Sequence, residues 1–258
     1  MKFRPCIDIH NGQVKQIVGG SLRDSGDFAD ENFVSDKSAA DYAKLYKRLG
    51  LSGGHIIILN PASSEYYEQD VEQAFGALHA WQGNLQVGGG INPDNAGAYL
   101  DAGASHVIVT SYVFSNGILN FDNLNKLLEV IGKEHLVLDL SCRKKDGDYY
   151  IVTDRWQRFT QHKITKELLY KLANMCDEFL IHAVDSEGKA SGVDGNLASL
   201  LASVDNFPIT YAGGIGSYEH LHTLKALGKN RLDVTVGSAL DMFGGHLELE
   251  KIIEICNA

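Results

Sequence analysis

Short apolar runs and longer amphipathic stretches take turns along the chain. Phe3 to Ile9 reads as a buried strand, and after the Asn11-Gly12 turn Gln13 to Val18 continues extended. Runs of the same kind follow at His55 to Leu59, Asn84 to Val87, Ser105 to Val109, Leu136 to Leu140, Glu178 to Ala183, Pro208 to Ala212 and Leu232 to Val236. Between them lie helical patterns. Ser38 to Tyr46 carries an N-cap serine and sets Tyr42, Leu45, Tyr46 and Leu49 on one face. Further helices are expected over Glu65 to Trp81, from Pro93, and over Asp122 to Ile131, Thr165 to Cys176, Asn196 to Val204, Ser217 to Leu227 and Leu247 to Ile255. Lys145-Asp146-Gly147-Asp148 ahead of Tyr149 to Val152 predicts a hairpin inserted after the fifth strand. Gly19 to Lys37 is polar and glycine-bearing, and is expected to be a lid, with Gly20 a ligand contact on it.

Eight strands alternating with eight helices predict an α/β fold with a parallel sheet sheathed by helices. A weak half-chain repeat sharpens this. Asp8 and Asp139, each near the end of a strand, stand 131 residues apart in a chain of 258. Val87-Gly88-Gly89-Gly90-Ile91 returns as Tyr211-Ala212-Gly213-Gly214-Ile215, with Gly90 and Gly214 separated by 124 residues, and Ser111 has its counterpart 127 residues on at Ser238. The expectation is one domain over residues 1–258, a (β/α)8 barrel built by half-barrel duplication, with its site at the C-terminal ends of the strands.

Composition narrows the function classes. A formal net charge of −10 argues against nucleic acid and against an acidic membrane surface as partners. No apolar stretch reaches the roughly 18 to 20 residues of a membrane span. The four cysteines show no metal-ligand spacing, and the first residues have no signal-peptide run, so a reducing compartment, the cytoplasm, is expected. A monomer is expected.

On strands one and five of such a barrel, Asp8 and Asp139 would face each other across the mouth. Two carboxylates in unlike surroundings can divide the roles of acid and base. Glycines ahead of a helix let backbone N–H groups approach an anion. One such nest is expected from Gly89, Gly90, Thr110 and Ser111, and another from Gly213, Gly214, Gly237 and Ser238, with Phe243-Gly244-Gly245 opening a short helix beside it. Two nests on opposite sides predict a small-molecule ligand with a phosphate at each end.

Cys6-Ile7-Asp8-Ile9-His10-Asn11-Gly12, Val87-Gly88-Gly89-Gly90-Ile91, Leu138-Asp139-Leu140-Ser141-Cys142-Arg143, Thr153-Asp154-Arg155-Trp156-Gln157, Ala212-Gly213-Gly214-Ile215 and Phe243-Gly244-Gly245 together resemble the phosphoribosylformimino-aminoimidazole carboxamide ribotide isomerases of histidine biosynthesis, and most closely their eukaryotic branch. The resemblance spans essentially the whole chain. It implies an Amadori rearrangement of an aminoaldose to an aminoketose, without cofactor and without metal. It makes Asp8 the base at the sugar C2, Asp139 the acid that opens the ribose ring, and Trp156 a stacking partner for the imidazole.

Several positions depart from the bacterial pattern. Asn92 and Ser238 stand where arginines are common, and Thr110 where glycine is. These losses shift phosphate binding onto backbone amides, with Arg143, Lys144 or Arg23 as replacement charges. His182 occupies a threonine position, where it would donate to a ribose hydroxyl or tune Asp139. The related cyclase of the same pathway is the nearest rival, although its expected lysine has only Lys15 as a counterpart. A non-catalytic phosphosugar-binding barrel is the other alternative.

Overall fold

The computed structural model describes residues 1–17, 21–22, 27–186 and 191–258. Eight parallel strands succeed one another in chain order: β1 (Cys6–His10), β2 (Gly54–Ile58), β3 (Leu85–Gly88), β4 (His106–Val109), β5 (Leu136–Asp139), β6 (Glu178–His182), β7 (Ile209–Ala212) and β8 (Asp233–Val234). The ring closes where Phe3 and Val234 form a parallel bridge, with Arg4 N–H to Val234 O at 2.8 Å and Val234 N–H to Lys2 O at 2.9 Å. This is the expected (β/α)8 barrel. Outside it lie α1 (Ala39–Arg48), α2 (Tyr67–Ala80), α3 (Ala96–Asp101), α4 (Phe121–Ile131), α5 (Lys166–Ala173), α6 (Gly195–Leu201), α7 (Tyr218–Leu227) and α8 (Leu249–Asn257).

Local chemistry sets the helix starts. Ser38 and Asp41 close a reciprocal capping box at α1, and the side chains of Asn120, Thr165, Asp194 and Ser217 each accept a backbone N–H in the first turn that follows. α3 begins later than Pro93 suggests, because Asn92 and Asn95 build a turn there: Asn92 N–H donates to Asn95 Oδ1 at 2.9 Å, and Asp94 N–H to Asn92 Oδ1 at 2.8 Å.

The barrel interior is layered. Its floor is polar: buried Glu178 accepts from Arg4 Nη2 (3.3 Å), Gln86 Nε2 (2.8 Å) and Thr210 Oγ1 (2.7 Å), while Arg4 Nε also reaches Asp233 at 2.8 Å. Above it Ile57, Ile108, Val137, Leu180 and Ala212 pack as an apolar plug. Alternation along each strand then sends Asp139 and His182 upward to the mouth, two residues beyond Val137 and Leu180. Ile7, Ile9, Ile56, Val87, Leu138 and Ile181 point the other way, into the core shared with the helices.

Three expectations need correction. The polar segment after β1 is not loop throughout. Glu31–Val34 is a strand that pairs antiparallel with Gln13–Ile17, extending the sheet past β1, and buried Lys15 meets Glu31 at 2.6 Å across that pair. The insertion after β5 is a three-stranded sheet, Cys142–Lys145, Asp148–Thr153 and Arg158–Lys163, rather than one hairpin. Phe243-Gly244-Gly245 ends a short 3-10 turn (Asp241–Phe243) instead of opening a helix, because Gly244 adopts a left-handed conformation (φ 82°) that stops it. A further hairpin, Phe114–Ser115 with Ile118–Leu119, follows β4 around Asn116-Gly117 (φ 53° and 74°).

Candidate active site

The two aspartates lie on opposite sides of the ring, four strands apart, each at or near the end of its strand. Asp8 is half-buried, and Gln16 Nε2 donates to its Oδ2 at 3.0 Å from the Gln13–Ile17 strand. The same glutamine packs against Gly237: a methyl added there would come within 2.4 Å of Gln16 Oε1. Cys6 lies below Asp8 at 4 % exposure, a small interior side chain as expected.

Asp139 is more enclosed, at 8 % exposure. His182 Nδ1 sits 2.9 Å from its Oδ1, Ser141 Oγ donates to the same oxygen at 3.3 Å, and Thr110 Oγ1 to Oδ2 at 3.4 Å. Trp156 Nε1 donates to Ser141 Oγ at 3.1 Å, and its ring lies 6.4 Å from the His182 ring at a tilt of 37°. His55, buried below on β2, has its pKa lowered to about 3, by burial first and then by the nearby His182, so it is neutral at working pH. His10 is also buried, which lowers its pKa; its ring nitrogens find no hydrogen-bond partner among the described residues.

Trp156 owes its place to an unusual turn. Asp154, Arg155 and Trp156 are three consecutive non-glycine residues with φ of 53°, 54° and 68°, a left-handed run that costs energy unless held. The Asn116-Gly117 hairpin holds it. Gly117 N–H donates to Thr153 Oγ1 at 2.9 Å, Asn116 N–H to Asp154 Oδ1 at 3.2 Å, and Arg158 Nη1 to Asn116 Oδ1 at 3.3 Å.

The glycine turns match across the two halves. Gly89 and Gly90 have φ of 108° and 67°, and Gly213 and Gly214 have 117° and 75°. A methyl on Gly89 would lie 2.1 Å from Ile58 O, and one on Gly214 2.1 Å from Gly192 O, so both turns require glycine on steric grounds too. Gly237 and Ser238 follow β8, both half-buried, and Ser111 is exposed after β4. Thr110 turns its hydroxyl to Asp139 rather than outward. Arg143 Nε is engaged by Asp185 Oδ1 at 2.9 Å, so an anion there competes with a carboxylate. Gly20 and Arg23 lie outside the described residues. Lys15, 6 % exposed and paired with Glu31, is not offered to the mouth. Among the described residues no cluster of three or more His, Cys, Asp or Glu side chains has the arrangement of a metal site.

Gln16, Ser141 and the Asn116-Gly117 clamp were not foreseen. Ser141 shares strand parity with Asp139, and Asn-Gly is a hairpin signal, so both left a trace in the sequence. Nothing in the sequence marks Gln16.

The duplicated (β/α)8 barrel thus carries a carboxylate on each of two opposite strands, with matched glycine turns between them. Residues 2–247 match the family described as histidine biosynthesis protein. The chain is 52 % identical to the chloroplastic 1-(5-phosphoribosyl)-5-((5-phosphoribosylamino)methylideneamino)imidazole-4-carboxamide isomerase of Medicago truncatula, over 98 % of this chain and 81 % of the relative. It is 44 % identical to the isomerase of the same name from Neurospora crassa, covering 98 % and 97 %, and 41 % identical to that of Saccharomyces cerevisiae, covering 95 % and 94 %. The chain belongs to the histidine biosynthesis protein family. Among the described residues no helix is long and apolar enough to cross a membrane.

Proposed function

We propose that this chain is an aldose–ketose isomerase that performs the Amadori rearrangement of the phosphoribosylformimino-aminoimidazole carboxamide ribotide in histidine biosynthesis. The observation that carries the reading is the contrast between the two carboxylates: Asp139 is enclosed by His182, Ser141 and Thr110, whereas Asp8 is more open and held by Gln16. Unlike surroundings suit unlike roles. Asp139 protonates the ribose ring oxygen as the C1–O bond opens, leaving an iminium at C1. Asp8 removes the proton from C2, and the resulting enolamine rearranges to the ketone.

Trp156 stacks on the imidazole carboxamide, and the tilted contact with His182 supports a shared wall for that ring. Gly89, Gly90 and Ser111 bind one phosphate; Gly213, Gly214, Gly237 and Ser238 bind the other. Their paired backbone angles support two equivalent anion nests. Gly20 is a further substrate contact, and Arg143 contributes from the rim. No cofactor and no metal take part in this scheme. The whole chain acts as one domain and as a monomer, without nucleic acid, and its compartment is the cytoplasm. Four buried cysteines, none in a disulfide among the described residues, fit a reducing environment, although the Medicago relative is named chloroplastic.

The test is incubation of purified protein with the aminoaldose, without ammonia, followed by the absorbance change that accompanies ketose formation. Turnover is expected, and its loss in Asp8→Asn and in Asp139→Asn. Product only when ammonia is present would favour the cyclase. Binding without turnover would favour a phosphosugar-binding barrel.

A further inference from the structure

Ser141 lies two residues past Asp139 at 2 % exposure, with its hydroxyl between the acid and the tryptophan. We propose that Ser141 is a positioning residue for proton transfer: it relays a hydrogen bond from the Trp156 indole to Asp139 Oδ1 and thereby assigns the transferable proton to Oδ2.

The direction of the relay is fixed by valence. An indole N–H only donates, so at 3.1 Å the Ser141 oxygen is its acceptor. A hydroxyl has one proton, and with the oxygen facing the indole that proton goes to Asp139 Oδ1 at 3.3 Å. His182 Nδ1 lies 2.9 Å from the same oxygen and, in the tautomer that carries its proton on Nδ1, is a second donor to it. Oδ2 instead meets the Thr110 hydroxyl, 3.4 Å away, which can turn to accept when Oδ2 is protonated. A carboxylic acid with two donors on one oxygen carries its proton on the other.

The consequence is kinetic. When Oδ2 gives its proton to the ring oxygen, the O–H bond breaks, its electron pair stays on Asp139, and the new carboxylate already has two aligned donors on Oδ1. Stabilisation by donors that need not move is the most effective kind in a site closed to water. The relay also explains why the sheet inserted after β5 keeps a left-handed run at Asp154 to Trp156 and why a separate hairpin braces it. Without that turn the indole N–H would not reach Ser141.

This rests on the isomerase reading, so the test has one arm that needs no turnover. The chain has two tryptophans and hence two indole N–H resonances, and Trp156→Phe identifies which belongs to Trp156. Asp139→Asn is expected to displace the Trp156 resonance in the parent protein and to displace it far less in a Ser141→Ala background. In the kinetic arm, Ser141→Ala and Trp156→Phe are each expected to lower kcat about 10-fold with KM nearly unchanged, and the double variant to be no worse than either. Ser141→Thr, which keeps the hydroxyl, should recover most of the loss. An equal Asp139→Asn displacement with and without the Ser141 hydroxyl would overturn the relay, as would kinetic losses that multiply to about 100-fold. A parent protein that fails to turn over the aminoaldose refutes the isomerase reading, while the resonance arm still decides the relay.

Discussion

Asp70 offers a quantitative test of how the end of β1 is held. It sits in the first turn of α2, fully buried, and its Oδ1 accepts the Gly12 N–H at 2.6 Å from the turn that ends the strand carrying Asp8. Among the described residues its Oδ2 has no hydrogen-bond partner. Burial pushes the carboxyl up from 3.8 to about 6, and Asp27 adds to it; the Gly12 bond and Lys15 pull the other way without prevailing. An acid whose folded pKa is raised favours the folded state in its protonated form. Its contribution is therefore complete below pH 4 and is lost as pH rises through about 6. A rise of this size corresponds to roughly 3 kcal/mol at about 1.4 kcal/mol per unit. Asp70→Asn keeps the acceptor for Gly12 and removes the titration. Urea unfolding of both proteins from pH 4 to pH 8 should show the variant gaining on the parent by up to about 3 kcal/mol, with the change centred between pH 4 and 6. Parallel stability curves would refute the reasoning, because they would mean that Asp70 is solvated or pairs its second oxygen.

Glu178 anchors the barrel floor. Glu178→Ala leaves Arg4 with Asp233 alone and strands Gln86 and Thr210, so a loss of about 3 kcal/mol in urea unfolding is expected; less than 1 kcal/mol would show that the network is incidental. Gly89→Ala drives a methyl to within 2.1 Å of Ile58 O at a φ of 108°, and should cost at least about 2 kcal/mol; a neutral result would mean the turn can re-form without its left-handed residue. Asn116→Pro, at φ 53°, cannot keep the clamp, and the Trp156 fluorescence should move toward that of an exposed indole while thermal stability falls by only a few degrees; unchanged fluorescence would detach the clamp from Trp156.

The barrel was legible because its signals are local and repeated. Each strand is an apolar run ending in a turn, and the glycine pairs recur at half-chain spacing with nearly the same backbone angles. Asp8 and Asp139 were legible for the same reason, since strand parity carries both to the mouth. What escaped depended on contacts distant in sequence. Glu31–Val34 is mostly exposed, with Phe33 its one half-buried side chain, and it is a strand because the Gln13–Ile17 edge was there to be covered. The Asn116-Gly117 hairpin was signalled by its turn, but its purpose became visible only beside Thr153 and Asp154. The polar floor and the bond from Trp156 through Ser141 to Asp139 join residues from separate elements, and no periodicity reports them. Arg143 shows the reverse: its charge is plain in the sequence, but the Asp185 carboxylate 2.9 Å away, with which an anion would compete, is not.

The central claim is that two unlike carboxylates at opposite strand ends isomerise a small bisphosphate. Single-turnover conversion in heavy water tests it most directly. With the aminoaldose and no ammonia, the parent chain should form the ketose carrying solvent deuterium at C1, Asp8→Asn should abolish both deuterium uptake and product, and Asp139→Asn should bind substrate but leave the ring closed. Full turnover by either variant would contradict the account.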